Sequence, residues 1–293
     1  MQFKNKKQLP DMIFKYIVLF FTLIVVSSVI LIGVFMFISS VPNITEVGIG
    51  SFLFGKTWNT SIDPPQYGIL PFILSSIIAT ISTVAIAVPI SLLVATGIGQ
   101  LIPRKISIFL RGIINLLAGI PSIIYGFVGL VVLVPFIQKL FHLPAGLTML
   151  SAIVVLIVMT LPTIISVSES SINAVPGDYM EASLALGVRK EYTLFKIIIP
   201  AAKSGIMAAV LLGMGRAIGE TMAVIMVAGN VAQMPEFLKP VRFLTTAIVT
   251  EMSYASEQTR GVLIGIGLVL FVFILFINGI FRYFIKKAGK ING

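Results

Sequence analysis

Residues 175–205 read VPGDYMEASLALGVRKEYTLFKIIIPAAKSG, a charged interruption between two long apolar runs. Pro176-Gly177-Asp178 opens a helix, with Asp178 as its cap and Glu181 three residues on. Gly187 fits the C-terminal cap, because a residue without a Cβ takes positive φ at little cost. A second helix from about Val188 to Ile199 then stops near Pro200. The expectation is a short helix, a glycine turn and another short helix, held between hydrophobic segments.

Those segments make the chain an integral membrane protein. Of 293 residues, 57% are hydrophobic and 11% charged, with a mean hydropathy of +1.07, far outside the range of a soluble domain. Apolar runs longer than about 18 residues recur, each long enough to cross a hydrocarbon core of roughly 30 Å as a helix. Their continuous apolarity does not match the alternation of a barrel strand. The fold class predicted is therefore an all-α membrane protein of six transmembrane helices, at about 17–38, 70–97, 113–137, 147–167, 204–228 and 261–281. The first run is too long for the 7–15-residue apolar core of a signal peptide and is followed by no A-x-A site, so it reads as a retained span. Pro89, Pro121, Pro135 and Pro162 fall at membrane depth and are expected to kink their helices.

Charge fixes an orientation. Lys4, Lys6, Lys7 and Lys15, then Arg104, Lys105 and Arg111, then Arg189, Lys190, Lys196 and Lys203, then Arg282, Lys286, Lys287 and Lys290 all fall on the side of the N-terminus. The opposite side holds only Lys56, Lys139, Lys239, Arg242 and Arg260. The positive-inside rule puts both termini in the cytoplasm. The net charge of +10 is thus a matter of topology; basic residues scattered between apolar runs exclude a nucleic-acid surface. With no Cys and a single His, neither a disulfide framework nor a metal cluster is available, and no cofactor is expected.

The segment 50–57, GSFLFGKT, matches the pattern G-x-x-x-x-G-K-[ST] letter for letter. A phosphate-binding loop needs a strand before it and a helix after it. Here the following WNTSIDPP runs into two prolines on the predicted outer side, so a nucleotide site is refused. Further on, KPVRFLTTAIVTEM, residues 239–252, reads as a short helix along the outer surface.

Within 175–205, the stretch EASLALGVRKEYTLFKIIIP resembles the EAA loop of ABC importer permeases, E-A-A-x3-G-x9-I-x-L-P. Glu181, Ala182, Gly187, Ile197 and Pro200 match at the family spacing; Ser183 replaces the third small residue and Ile199 replaces Leu. The resemblance implies a type I importer permease of MetI-like fold with an extra N-terminal helix. It divides the chain into an N-terminal span and extracytoplasmic loop over 1–68 and a permease core over 69–285, with the coupling loop at about 168–203. It further implies that this loop docks on a separate cytoplasmic ATPase, small Ala182 and Ser183 allowing close approach, Gly187 setting the bend and Glu181 offering a charged contact. Arg189, Lys190 and Glu191 read as solvated.

The following span, LLGMGRAIGETMAVIMVAGN over 211–230, carries Arg216 and Glu220 near its middle. Each full charge there costs about 2.5–3.5 kcal/mol on an insertion scale, so both need a reason. At i and i+4 they share a helix face, which allows either an ion pair that fixes packing or a polar lining of a translocation path. Gly215 and Gly219 give the G-x-x-x-G spacing that lets another helix approach. GRAIGETMAVIMVAGN, together with FLFGKTWN, YGILPFI and LLAGIPSIIYGFVGL, is similar to the permease subunits of phosphate-specific ABC importers, the PstC family. That resemblance implies a translocation role for Arg216 and Glu220 and no catalytic residue in this chain. The partners implied are a PstA-like sister permease, a PstB-like ATPase dimer, an extracytoplasmic PstS-like phosphate-binding protein and membrane lipid. Permeases for molybdate, tungstate or sulfate share the loop, and an ion-coupled transporter or channel using the same two charges without ATP is the alternative of a different class.

Overall fold

The computed structural model describes residues 8–289, with side chains described over 12–283. Lys4, Lys6, Lys7 and Lys290, and the side chains of Lys286 and Lys287, therefore lie outside the described residues. The described residues are mostly helical. Helix α1 (Gln8–Val47) is followed by α2 (Ile49–Phe54), a two-residue antiparallel pair β1 (Trp58–Asn59) and β2 (Gln66–Tyr67), and the long α3 (Leu70–Thr96). Then come α4 (Arg104–Gly119), α5 (Ser122–Val128), α6 (Val134–Leu140) and α7 (Met149–Asn173). The polar segment supplies α8 (Gly177–Ala185), α9 (Lys190–Thr193) and α10 (Ile199–Ala201), and the chain ends with α11 (Lys203–Gly219), α12 (Met222–Val227), α13 (Leu244–Glu251) and α14 (Glu257–Gly289).

Among the described residues, five stretches are long and apolar enough to span a bilayer: Met12–Val47, Leu70–Leu101, Ser122–Leu140, Met149–Asn173 and Glu257–Tyr283. The sixth is a bent pair, Lys190–Ala201 with Lys203–Gly219, at 73°. Helix α7 sits at the centre, with α3 on one side and α11 on another, while α1 packs mainly along α14. Thr148 caps α7, accepting the Ser151 N–H at 3.2 Å. Small residues bring α11 onto α7: a Cβ added at Gly213 would lie 2.6 Å from Ile164, and Ala209 and Ala217 of the same face are buried.

The third span begins at Ser122, not at 113. Pro121 has no N–H to offer and holds Ile120 extended, at φ −70 and ψ 128, so residues 104–119 fold as a separate amphipathic helix. Its inward face carries buried Ser107 and half-buried Arg111 and Ile114; Phe109 and Leu116 point outward. The segment 239–252 does not lie on the surface either. Helix α13 is sunk into the bundle, with Leu244, Thr245, Thr246 and Ala247 buried and the Leu244 N–H donated to Ser76 Oγ of α3 at 3.1 Å.

The prolines act in three ways. Pro89 and Pro162 stay inside α3 and α7, and Pro121 breaks the chain. Pro135 and Pro200 each follow a π-helical turn, Gly129–Leu133 and Leu194–Ile198, which widens the ladder where the ring would strike a carbonyl. Helix α9 therefore runs on through α10 past Pro200 and turns only at Ala202, where a stop near Pro200 was expected.

At the β1–β2 end an ion pair of Arg242 with Glu251 ties the long segments together. Trp58 Nε1 donates to both Glu251 oxygens at 2.9 Å, Arg242 Nε donates to the Asn230 carbonyl at 2.9 Å, and its guanidinium lies 5.7 Å from the Phe72 ring centre. In GSFLFGKT the helix precedes the Gly-Lys pair instead of following it, the reverse of a phosphate loop. Gly55 is needed for a backbone crossing: a Cβ there would come within 2.7 Å of Gly68 Cα.

Candidate functional site

The span carrying Arg216 and Glu220 is broken at Glu220 itself. Helix α11 ends at Gly219, Glu220 is extended at φ −70 and ψ 130, and α12 restarts at Met222. The two charges therefore do not share a helix face, and among the described residues they form no ion pair with each other. Arg216 Nη1 donates to Thr163 Oγ1 of α7 at 2.8 Å. Glu220 Oε1 accepts the Ala223 N–H at 3.0 Å and so caps α12, while its backbone carbonyl accepts the Thr245 hydroxyl of α13 at 3.0 Å. Each charge sits at the helix end whose dipole it complements, cation at the C-terminus of α11 and anion at the N-terminus of α12. Broken helices with charged ends are stable at membrane depth only beside protein or water.

The open side of this break faces away from the protomer's core. The cavity beside Glu220, lined by Ser76, Thr80, Ala217, Val224 and Thr245, measures about 10 Å³, room for about one water. Gly215 and Gly219 are exposed, with nothing within 4 Å of an added Cβ. The G-x-x-x-G face is thus bare in the single chain, and the close contact of α11 with α7 is made by Gly213 and its neighbours. Two uncharged polar groups that sequence reasoning missed complete the surroundings. Thr163 holds the guanidinium, and Tyr125, within electrostatic reach of Arg216, donates its hydroxyl to the Leu117 carbonyl at 2.6 Å. A lone Tyr and a Thr beside Pro162 in apolar spans were the available signals.

The 175–205 segment folds as a short helix, a glycine turn and a second helix, and the departures from expectation lie in the cap, Ser183 and Lys190. Pro176 precedes α8 and no side chain caps it; Asp178 sits in the first turn, where its charge still favours the helix N-terminus. Gly187 adopts φ +76. Ser183 is buried and its hydroxyl meets Thr193 Oγ1 at 2.7 Å, so it joins the two short helices to each other and is not on the outer face. Glu181, Ala182 and Pro200 are exposed and Ile197 is half-buried. Around them Tyr179, Leu184, Tyr192 and Phe195 are exposed, and Leu186 is 83% exposed. Beneath, a cavity of about 640 Å³ is lined by Ser171, Pro176, Tyr179, Lys196, Ile197 and Pro200. Lys190 is not simply solvated: its Nζ donates to the Gln100 carbonyl at 2.5 Å, and Gln100 Nε2 donates to Asn173 Oδ1 at 3.1 Å.

A further charged pair lies between these regions. Arg111 of α4 donates to Glu169 Oε1 of α7 through Nε at 2.6 Å and Nη2 at 2.5 Å, and the Glu169 side chain is only 11% exposed. Sequence reading passed over Glu169, one acid in the serine-rich SVSESS. Among the described residues no group of three His, Cys, Asp or Glu side chains is placed to share a metal ion.

Comparison with known proteins bears on the family and the fold. A family model described as binding-protein-dependent transport system inner membrane component matches residues 87–290. The chain is 36% identical over 284 residues to a probable ABC transporter permease protein, YqgH, of Bacillus subtilis, covering 94% of this chain and 92% of that one. It is 31% identical over 291 residues to the phosphate transport system permease protein PstC of Pasteurella multocida, covering 89% and 90%. Among solved structures, an inward-facing conformation of the MetNI methionine ABC transporter superposes with a TM-score of 0.58 at 20% identity, over 75% of this chain and 94% of that one, a likeness of fold. The helical loop between the fourth and fifth spans, the spans around it and the family match over residues 87–290 together place the chain among the inner-membrane permease subunits of binding-protein-dependent ABC importers.

Proposed function

We propose that the chain is the permease subunit of an importer for inorganic phosphate. The observation that carries the reading is Arg216: a guanidinium at membrane depth, held by Thr163 at one nitrogen, beside a helix break whose open face carries Gly215 and Gly219. A planar guanidinium offers paired donors to a tetrahedral oxyanion, and relatives named as phosphate permeases cover most of the chain. Glu220 keeps the site from binding too tightly by lowering its net positive charge.

The bare glycine face is completed by a sister permease, so that Arg216 lies on a shared path. Both termini and the 175–205 loop are cytoplasmic, and Tyr179, Leu184, Leu186, Tyr192 and Phe195 supply the apolar contact with an ATPase dimer. Glu181 and Ala182 lie at that contact, Ser183 and Gly187 shape the loop, and Ile197 and Pro200 carry its movement into α11. A phosphate-binding protein delivers the anion at the opposite side, where Trp58, Arg242 and Glu251 hold the long segments. ATP hydrolysis belongs to the partner subunits.

Uptake of radiolabelled phosphate by cells carrying the complete transporter, in competition with molybdate and sulfate, tests the substrate. Phosphate alone should compete. Preferential competition by molybdate or sulfate would replace phosphate with that oxyanion, and uptake that persists with the ATPase inactivated would sink the coupling.

A further inference from the structure

Helix α7 carries a line of polar residues below Arg216. Thr163, Ser166, Ser170 and Asn173 recur at helical spacing over ten residues, about 15 Å along the axis, with Ser168, Glu169 and Ser171 adding polar groups at the lower end of the span. None of the four is buried. Thr163 binds Arg216 at the top. Below it a cavity of about 330 Å³ is lined by Arg111, Asn115, Ser166, Glu169, Ser170 and Asn173. At roughly 30 Å³ per water, this space takes a tetrahedral oxyanion with several waters.

The donors there suit an anion. Glu169 Oε1 takes two N–H groups of Arg111, and among the described residues Nη1 has no hydrogen-bond partner. Asn173 Oδ1 accepts from Gln100, which leaves its amide N–H groups as donors; Ser170 spends its own proton on the Ser166 carbonyl. Glu169 nearly cancels the charge of Arg111. A neutralised guanidinium binds an oxyanion weakly, which is what an intermediate station requires: affinity enough to enter and too little to trap.

Resting on the phosphate-importer reading above, we propose that Arg111 and the Ser166–Asn173 face of α7 form a second, low-affinity oxyanion station, between Arg216 and the 175–205 loop. The anion leaving Arg216 passes down this face and exchanges with Glu169 for the Arg111 donors. Asn173 reaches Lys190 of the loop through Gln100, so a shift of that loop bears on the floor of the station.

The chain has no cysteine, so a single introduced one is the only thiol in this subunit, and labelling is read on this subunit after it is separated from its partners. The complete complex, with Ser166→Cys or Ser170→Cys, is reconstituted in zwitterionic lipid, free of anionic headgroups, and labelled with a charged methanethiosulfonate. Val158→Cys, on α7 against an apolar groove, is the control. Ser166→Cys and Ser170→Cys should react and Val158→Cys should not. Phosphate at about ten times its dissociation constant should slow the reaction about tenfold. Adding Arg111→Gln with Glu169→Gln, which removes both charges together, should leave labelling intact and abolish the protection, and Arg111→Lys should keep part of it. Labelling no faster than at Val158→Cys, labelling that no oxyanion slows, or protection that survives the double substitution each overturns the station. Protection by sulfate or molybdate but not phosphate supports the station and removes the phosphate assignment; phosphate-driven uptake without protection removes the station alone.

Discussion

Glu220 has two separable roles, and substitution distinguishes them. Its Oε1 accepts the Ala223 N–H at 3.0 Å, one of the free amides at the start of α12. Losing a side-chain cap costs about 0.5–2 kcal/mol, typically near 1. Glu220→Ala removes both acceptor and charge, whereas Glu220→Gln keeps a carbonyl oxygen that can take the same bond. The contact of Thr245 with the Glu220 carbonyl is backbone-mediated and survives both changes. The unfolding midpoint of the purified complex, followed by loss of the monodisperse peak on size-exclusion chromatography after heating, should fall by roughly 2–4 °C for Glu220→Ala and by less than about 1 °C for Glu220→Gln. Transport should fall in both, because the charge is gone in both. If Glu220→Gln melts with Glu220→Ala, the charge and not the cap holds the break. If Glu220→Ala melts with the unsubstituted chain, the cap stabilises nothing.

Gly213→Leu forces side-chain atoms into Ile164, 2.6 Å from an added Cβ, and should destabilise the chain by about 1–3 kcal/mol in thermal unfolding. Gly219→Leu meets nothing within 4 Å in the single chain, so it should leave the chain's own stability intact while co-purification of a second permease falls. Ser183→Ala strands Thr193 Oγ1 with its bond to the Arg189 carbonyl alone, which should cost about 1 kcal/mol and weaken transport-coupled ATP hydrolysis more than basal hydrolysis. Glu251→Gln leaves Arg242, 17% exposed at its side chain, without its counter-charge; a loss of about 2 kcal/mol and faster proteolysis between Trp58 and Tyr67 are expected.

The helical loop was legible because its determinants are local. Gly187 takes its positive φ from the absence of a Cβ, and the break between α8 and α9 follows wherever the chain goes. The apolar spans were legible for the same reason, since twenty consecutive hydrophobic residues have few places to be. What misled was continuity. Residues 113–137 and 204–228 are apolar across Pro121 and Glu220, and hydropathy averages over a break of one or two residues. Whether Pro162 sits inside a helix while Pro121 ends one depends on which neighbours receive the freed carbonyls, and those neighbours are distant in sequence.

From composition, periodicity and glycine placement, the sequence by itself determined a polytopic helical membrane protein, the helix-turn-helix of 175–205 and the presence of charge in the fifth span. Only the tertiary structure decided what those charges do. Thr163 and Glu169 come from α7, Thr245 from α13 and Arg111 from α4, and a hydrogen bond or ion pair between such elements is set by distances of about 3 Å that no spacing along one chain segment encodes. Arg216 and Glu220, four residues apart, look like partners on a continuous helix; once Gly219 ends that helix, Arg216 binds Thr163 of α7 and Glu220 caps α12.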